Sequence, residues 1–317
     1  MISYRPFRNL DPPRIAALWQ NQPPLDGLAP VITPDTLNEL VFSKPYFDPA
    51  GLQVACDDQR MIGFVHAGFG PTKEQTSLDR RRGVISMLMV SQQADVDSAA
   101  VSAELLERGE AYLRQAGSIE IFAMGIGELC PFYLGLYGQG DLPGVLQHDS
   151  MRQALFRAHD YQPAGRVVIF ERELIGFRSP VDRRQLQIRR GSTLSLQLDP
   201  PPATWWEACT KGCFELLRTE LVPAAGGPPL ASATFWSTET VAIGSPICEV
   251  RLAHIEAHSD RRRSGLATYL LSESLRVLYE QGFPRVTSQI NDDDTASAAL
   301  FKKLGFVQIG AADVLRK

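Results

Sequence analysis

No stretch of this sequence approaches the roughly 20 consecutive apolar residues that a membrane-spanning helix needs, so no membrane partner is expected. The opening residues, Met1-Ile2-Ser3-Tyr4-Arg5-Pro6, lack the apolar segment of a secretory signal, and a cytoplasmic location is expected. Positive charge is not in excess: 32 Lys and Arg face 36 Asp and Glu, for a net charge of -4. That balance argues against a general nucleic-acid binder. Cysteine is scarce, with five residues scattered at Cys56, Cys130, Cys209, Cys213 and Cys248. Cys209 and Cys213 could share a helix face, but no His or Cys cluster accompanies them. Buried thiols are expected there, and no metal.

What remains is the composition of a globular protein, 44% hydrophobic and 21% charged over 317 residues. At about 150 residues per domain, the length suggests two domains. The order of predicted elements repeats accordingly. In the first half, residues 2–6 read as a strand, 13–20 and 35–43 as helices, and 51–56 with 61–69 as a hairpin around Asp57-Asp58-Gln59. A continuous apolar strand at 83–90 runs into a helix at 98–116, then come a strand at 118–124, a helix at 151–159 and a closing strand at 166–174. The stretch 178–187 is charged, contains Pro180 and reads as a linker. The second half offers a helix at 205–214, strands at 214–223, 230–240 and 247–257, and a helix at 265–281. A strand at 285–290, a helix at 295–303 and a last strand at 306–315 follow. Each half thus has a meander of strands, then a strand–helix–strand unit, then a short helix and a final strand.

The chemistry concentrates between 249 and 267. An apolar strand enters the polar turn His258-Ser259-Asp260-Arg261-Arg262-Arg263, and a helix begins at Gly265. The first turn of a helix leaves backbone N–H groups unpaired, and its dipole favours anions by about 0.3–1 kcal/mol per charge. Gly265 and Ala267 are small enough for phosphate oxygens to reach the backbone, and Arg262 adds a counter-charge.

At this point the sequence resembles the GNAT acetyltransferase superfamily. The family's pyrophosphate motif, Gln/Arg-x-x-Gly-x-Gly/Ala between the fourth strand and the next helix, is matched by Arg262, Gly265 and Ala267. Its second motif, an aromatic residue, a short spacer and Gly-Phe, is matched by Leu300-Phe301-Lys302-Lys303-Leu304-Gly305-Phe306. The resemblance implies an α/β (α+β) protein of two tandem GNAT-like domains, each a mixed, mostly antiparallel sheet flanked by helices. The expected boundaries are 1–176 for a degenerate domain, 177–184 for a linker and 185–317 for the domain with the coenzyme A site. It further implies an acetyl-CoA-dependent N-acetyltransferase acting on a primary amine of a small molecule or peptide. No metal and no nucleic acid are implied, and the chain is expected as a monomer or homodimer. Coenzyme contacts are implied at Ile255 and Ala257 on the strand, and at Arg262, Arg263, Ser264, Gly265, Leu266 and Ala267 in the turn. Asn291 and Phe301 are implied in the second motif. Glu249, His254 and Glu256 lie on the strand that would face the substrate and are the candidates for a base. Alternation does not choose among them, because this strand often carries a bulge in the family.

Two departures matter. Many members have tyrosine at the position of Phe301, as the acid for the departing thiolate, and phenylalanine has no proton to give. The asparagine that opens the second motif is replaced by Asp294, with Asn291 nearby; helix capping is the expected use of Asp292-Asp293-Asp294. A coenzyme-binding regulatory or scaffold protein without turnover is therefore the alternative. In the first half, Ser91-Gln92-Gln93-Ala94-Asp95-Val96-Asp97-Ser98 has neither glycine nor arginine, and its two aspartates would repel a pyrophosphate. The second motif there ends Asp160-Tyr161 in place of Gly-Phe. The aromatic stretch 131–138 is expected to pack against the sister domain or to line a cleft.

Overall fold

The computed structural model describes residues 1–93, 95–138, 140–141, 144–180, 183–237, 250–258 and 263–317. Along the first half run β1 (Ile2–Pro6), α1 (Pro12–Gln20), α2 (Pro34–Leu37), β2 (Leu52–Asp57), β3 (Arg60–Pro71), β4 (Leu78–Val90), α3 (Ser98–Gln115), β5 (Glu120–Ala123), β6 (Val145–Leu146), α4 (Ser150–Ala158) and β7 (Gln162–Glu173). Then come α5 (Arg183–Gly191), β8 (Ser192–Leu198), α6 (Trp205–Lys211), β9 (Leu216–Pro223), β10 (Ala231–Ser237), β11 (Val250–Ala257), α7 (Leu266–Glu280), β12 (Arg285–Asn291), α8 (Thr295–Lys303) and β13 (Val307–Arg316).

The helix starts follow capping chemistry. α2, α3, α4, α6 and α8 each begin on a Thr or Asp whose side chain accepts from the N–H three residues on. Asp294 does this for α8, accepting from Ser297 at 3.0 Å, so the acidic run is used as a cap. α7 is different: its cap is Gly265, which has no side chain to satisfy the first turn.

The fold divides into two compact units, one of Met1–Val167, Pro202–Cys213 and Ala311–Lys317, the other of Val168–Pro201 and Phe214–Gly310. In the first, β1, β2, β3 and β4 pair antiparallel and β4 pairs β5 in parallel, with α3 as the crossover. The last residues of the chain complete this sheet, Arg316 pairing Phe122 of β5. In the second unit β8, β9, β10 and β11 pair antiparallel and β11 pairs β12 in parallel, with α7 as the crossover. The residues 168–173 of β7 lie beside β12. The core of the second unit is the apolar stripe of α7, Leu270, Leu271, Leu275 and Leu278, packed with Phe235, Leu252 and Val286. Each such side chain contributes about 1.5–3 kcal/mol on burial.

Two expectations change. The stretch 178–187 reads as linker, but α5 starts at Arg183 and leads directly into β8. Of α5 only Gln185 is fully buried, and β8 leaves Leu196 and Leu198 exposed, so neither element shows the apolar stripe that periodicity detects. Cys209 and Cys213 are half-buried rather than buried.

The aromatic stretch 131–138 goes into the core of the first unit. Phe132 stacks on His66 with ring centroids 4.2 Å apart, and the Tyr133 hydroxyl lies 3.1 Å from His66 Nδ1. His66 is fully buried, and that burial pushes its pKa down to about 3. The unfolded chain protonates this imidazole as pH falls through about 6.5, while the folded protein resists until about 3. The stability so contributed is whole above that upper pH and is lost on acidification, at about 1.4 kcal/mol per unit. Denaturant titrations of wild type and His66→Leu at pH 7 and pH 5 test this. Wild type should lose about 2 kcal/mol more than the variant over that interval. Equal losses would remove His66 from the acid sensitivity.

Candidate functional site

The site of the second unit begins with an irregularity in β11. Its register against β10 runs Ala257 to Ala231, Glu256 to Ser232, Ile255 to Ala233 and His254 to Thr234, then jumps to Leu252 opposite Phe235. Ala253 is the extra residue of a β-bulge, and a bulge resets which side chains share a face. Val250 and Leu252 pack into the core, and beyond the bulge Ile255 and Ala257 turn to it as well. His254 and Glu256 occupy the opposite face and are exposed, with Nε2 and Oε2 3.5 Å apart. Ser232 Oγ donates to Glu256 Oε1 at 3.3 Å and steadies the carboxylate. The bulge therefore brings two of the three candidate bases onto one open face. The third, Glu249, lies outside the described residues, as does Arg262.

The parallel pairing of β11 with β12 stops at Leu252 opposite Ser288, although β11 runs on to Ala257 and β12 to Asn291. Ser288 Oγ donates to the Leu252 carbonyl at 3.1 Å, closing the ladder at the vertex. Past it the strands part, and the β12 side of 253–257 has no strand against it among the described residues. Backbone N–H and C=O groups there are what an extended, amide-bearing arm could pair with.

At the end of β11 the chain turns into α7. Arg263 and Gly265 both have left-handed backbones, φ 60° and 88°, and Ser264 lies between them. A side chain at Gly265 would be strained by that φ, whereas the space above it is open, the nearest atom to a Cβ placed there being Ile188 Cδ1 at 3.7 Å. The first intrahelical bond of α7 runs from Tyr269 N–H to the Gly265 carbonyl. The N–H groups of Leu266, Ala267 and Thr268 thus have no intrahelical acceptor, and the helix dipole adds partial positive charge. Leu266 is buried by its side chain, so only its backbone is available. Beside this turn lies a cavity of about 310 Å³ lined by Gly265, Thr268, Ile188, Arg183, Arg184 and Lys303, with Gln185 in its wall. Sequence reasoning passed over those three cations, since two sat in a presumed linker and one inside a packing motif.

Asn291 is exposed at the tip of β12. Phe301 is 1% exposed, stacked on Phe306 at 4.8 Å and edge-on to Phe170 at 5.5 Å. Its ring belongs to the core beneath the site, not to the site's surface.

The first unit repeats this geometry with a different filling. β4 pairs β5 only as far as Ile85 opposite Ala123, yet β4 continues to Val90. Arg152 of α4 reaches this stretch, its Nε donating to the Leu88 carbonyl at 3.0 Å. Its Nη1 donates to Asp149 Oδ2 at 2.6 Å, and the same oxygen accepts from the Tyr137 hydroxyl at 2.9 Å. Arg152, Asp149 and Tyr137 are all at most 3% exposed. Counting from the capping aspartates Asp149 and Asp294, the residue of α8 equivalent to Arg152 is Ser297, which is too short for such a reach.

Among the described residues no group of His, Cys, Asp and Glu side chains is arranged as a metal site. No helix among them is long and apolar enough to cross a membrane.

Comparison with known proteins agrees with this geometry. Residues 227–306 match the model of the acetyltransferase (GNAT) family. No curated protein matches the sequence significantly. Among solved structures, a tandem GNAT protein from the clavulanic acid biosynthesis pathway matches 100% of this chain and 98% of its own, at TM-score 0.69 and 14% identity. A GCN5-related N-acetyltransferase from Sphaerobacter thermophilus matches at TM-score 0.63 and 14% identity, covering 100% of this chain and 95% of that one. A GCN5-related glucosamine N-acetyltransferase region of a fungal multi-domain β-N-acetylglucosaminidase matches at TM-score 0.71 and 16% identity, where this chain spans only 38% of the other. At such identities the likeness is one of fold, and over its whole length that fold is the tandem one. The family match falls on the very segment that holds the bulged strand, the glycine-capped helix and the second motif, and over its whole length the chain is similar in fold to a tandem GNAT protein.

Proposed function

We propose that the protein is an acetyl-CoA-dependent N-acetyltransferase whose active site lies in its C-terminal half and whose acceptor is the primary amine of a small molecule or peptide. The observation that carries this is the parting of β11 and β12 beyond Leu252 and Ser288, at the same strand end as the glycine-capped start of α7. A pyrophosphate would be held by the N–H groups of 266–268, with Arg263 alongside, and the pantetheine arm would run along 253–257. The coenzyme supplies an activated acetyl thioester. A backbone N–H of β11 in the parted stretch is then available to polarise the thioester carbonyl. His254, oriented by Glu256 on the open face, takes the proton that the attacking amine must lose. The thiolate leaves unassisted, because Phe301 has no proton to give. Two fold relatives support the reaction class: the glucosamine N-acetyltransferase region, and the N-myristoyltransferase of Saccharomyces cerevisiae with bound myristoyl-CoA, which matches at TM-score 0.59.

The reading is tested by acetyl-CoA binding to the intact protein and by release of free coenzyme A thiol across a panel of amines. In that assay His254→Ala and Glu256→Gln are each expected to lower kcat/KM by about 10²-fold or more while leaving acetyl-CoA affinity unchanged. Unaltered turnover in both variants would move the base to Glu249. Binding without thiol release for any amine would favour a coenzyme-binding regulatory or scaffold protein, the reading that the inward Phe301 supports.

We also propose that the N-terminal half holds no coenzyme. Beyond the last pair of β4 with β5, Arg152 takes the Leu88 carbonyl that an arm would need, and the loop before α3 carries Asp95 and Asp97, which would repel phosphates.

A further inference from the structure

Arg183, Arg184 and Lys303 line one cavity, and none of the three has an acidic partner among the described residues. Some exposed arginines of this chain find carboxylates, Arg157 with Asp313, Arg276 with Glu273 and Glu280, and Arg316 with Glu120, whereas these three cations share one concave surface. Among the described residues no carboxylate lines the cavity either, and its remaining polar groups there, Gln185 and Thr268, are neutral. Three like charges brought to one concave surface repel one another, so their gathering has a use only when an anion joins them. The turn 263–265 and the first N–H groups of α7 already suffice for a pyrophosphate. A second anionic group, held to the side of α7 that faces α5 and the end of α8, is what the three cations would serve.

We infer that this cavity holds the 3′-phosphate of the coenzyme, and that α5, the helix ahead of the second unit's first strand, selects 3′-phosphorylated coenzyme A over the dephosphorylated form. This rests on the coenzyme reading above. A phosphomonoester carries up to two negative charges at neutral pH and accepts from several donors at once. Arginine suits such an oxyanion through its planar fork, and Lys303 adds a mobile point charge. Ile188 of the same helix borders the cavity and sits above Gly265, so α5 is held where its arginines can reach a ligand bound at the α7 turn.

The experiment is a titration of the full-length protein with acetyl-CoA and with acetyl-3′-dephospho-CoA, at fixed low salt and again at 0.3 M. Wild type should bind acetyl-CoA about 10- to 100-fold more tightly, the equivalent of one or two charge-assisted contacts. Salt should narrow that ratio. Arg183→Ala/Arg184→Ala and Lys303→Ala should each weaken acetyl-CoA and leave the dephosphorylated ligand unchanged, bringing the ratio towards one. Arg183→Lys/Arg184→Lys, which keeps the charge, should retain part of it. Equal wild-type affinities for the two ligands would overturn the inference and leave the coenzyme reading standing. So would variants that weaken both ligands alike, since the cations would then act on the pyrophosphate they share. Failure of wild type to bind either ligand would overturn the coenzyme reading itself and the inference with it.

Discussion

Gly265→Glu is expected to abolish acetyl-CoA binding while the protein stays folded. The substitution acts twice. A non-glycine residue at φ 88° costs about 1–2 kcal/mol of backbone strain, small against the core contributed by α7. The new carboxylate would sit at the helix N-terminus where a pyrophosphate belongs, and two such charges about 4 Å apart repel by about 4 kcal/mol at an effective dielectric of 20. That corresponds to about a thousandfold loss of affinity. Thermal unfolding reads it directly, because a ligand at 100 times its Kd stabilises the native state by about 2.7 kcal/mol. Acetyl-CoA should raise the melting temperature of wild type by several degrees and leave Gly265→Glu unmoved. Gly265→Ala carries the strain without the charge, so it should lower the melting temperature of the free protein while keeping most of the ligand-induced rise. A Gly265→Glu protein stabilised as much as wild type would remove this turn from the coenzyme site.

Arg152→Met should be among the most destabilising single changes in the chain, by about 3–5 kcal/mol. The guanidinium is 2% exposed and reaches both Asp149 and the Leu88 carbonyl. Removing it leaves an ionised Asp149 buried with only Tyr137 and the α4 backbone as donors, and leaves the Leu88 carbonyl without its partner. The intact pair is not correspondingly valuable, because both charges were taken out of water to make it. Adding Asp149→Asn, which still caps α4, should therefore recover much of the loss. Denaturant unfolding of the two single variants and the double variant measures this. A near-neutral Arg152→Met would mean that the cleft of the first unit is wetter than its burial implies. Neither change touches the second unit's site, so acetyl transfer per folded molecule should be retained.

These two residues also mark how much of the site could be read before the structure. The Gly265 turn was legible because a glycine cap, a basic approach and a following apolar stripe are all local. The capping role of Asp294 was legible for the same reason, as was the missing phosphate turn in the first half. The filling by Arg152 was not, since it depends on a side chain of α4 crossing to a carbonyl of β4 64 residues away. That His254 and Glu256 face solvent and not the core hinged on Ala253, and a bulge becomes visible only when the partner strand supplies the register. Arg183 and Arg184 were hidden in charge that looked like linker, because α5 offers almost no buried stripe.

By itself, then, the sequence determined most of the repeated strand and helix order, the capped helix starts and the glycine turn ahead of α7. All three are set by periodicity and by capping within a few residues. Only the tertiary structure decided which side chains share the open face of β11, which cations gather beside Gly265, and that the chain's final residues complete the sheet of the first unit. Those depend on strand register and on packing between distant segments, where the free energy of a contact is set by neighbours that local sequence does not specify.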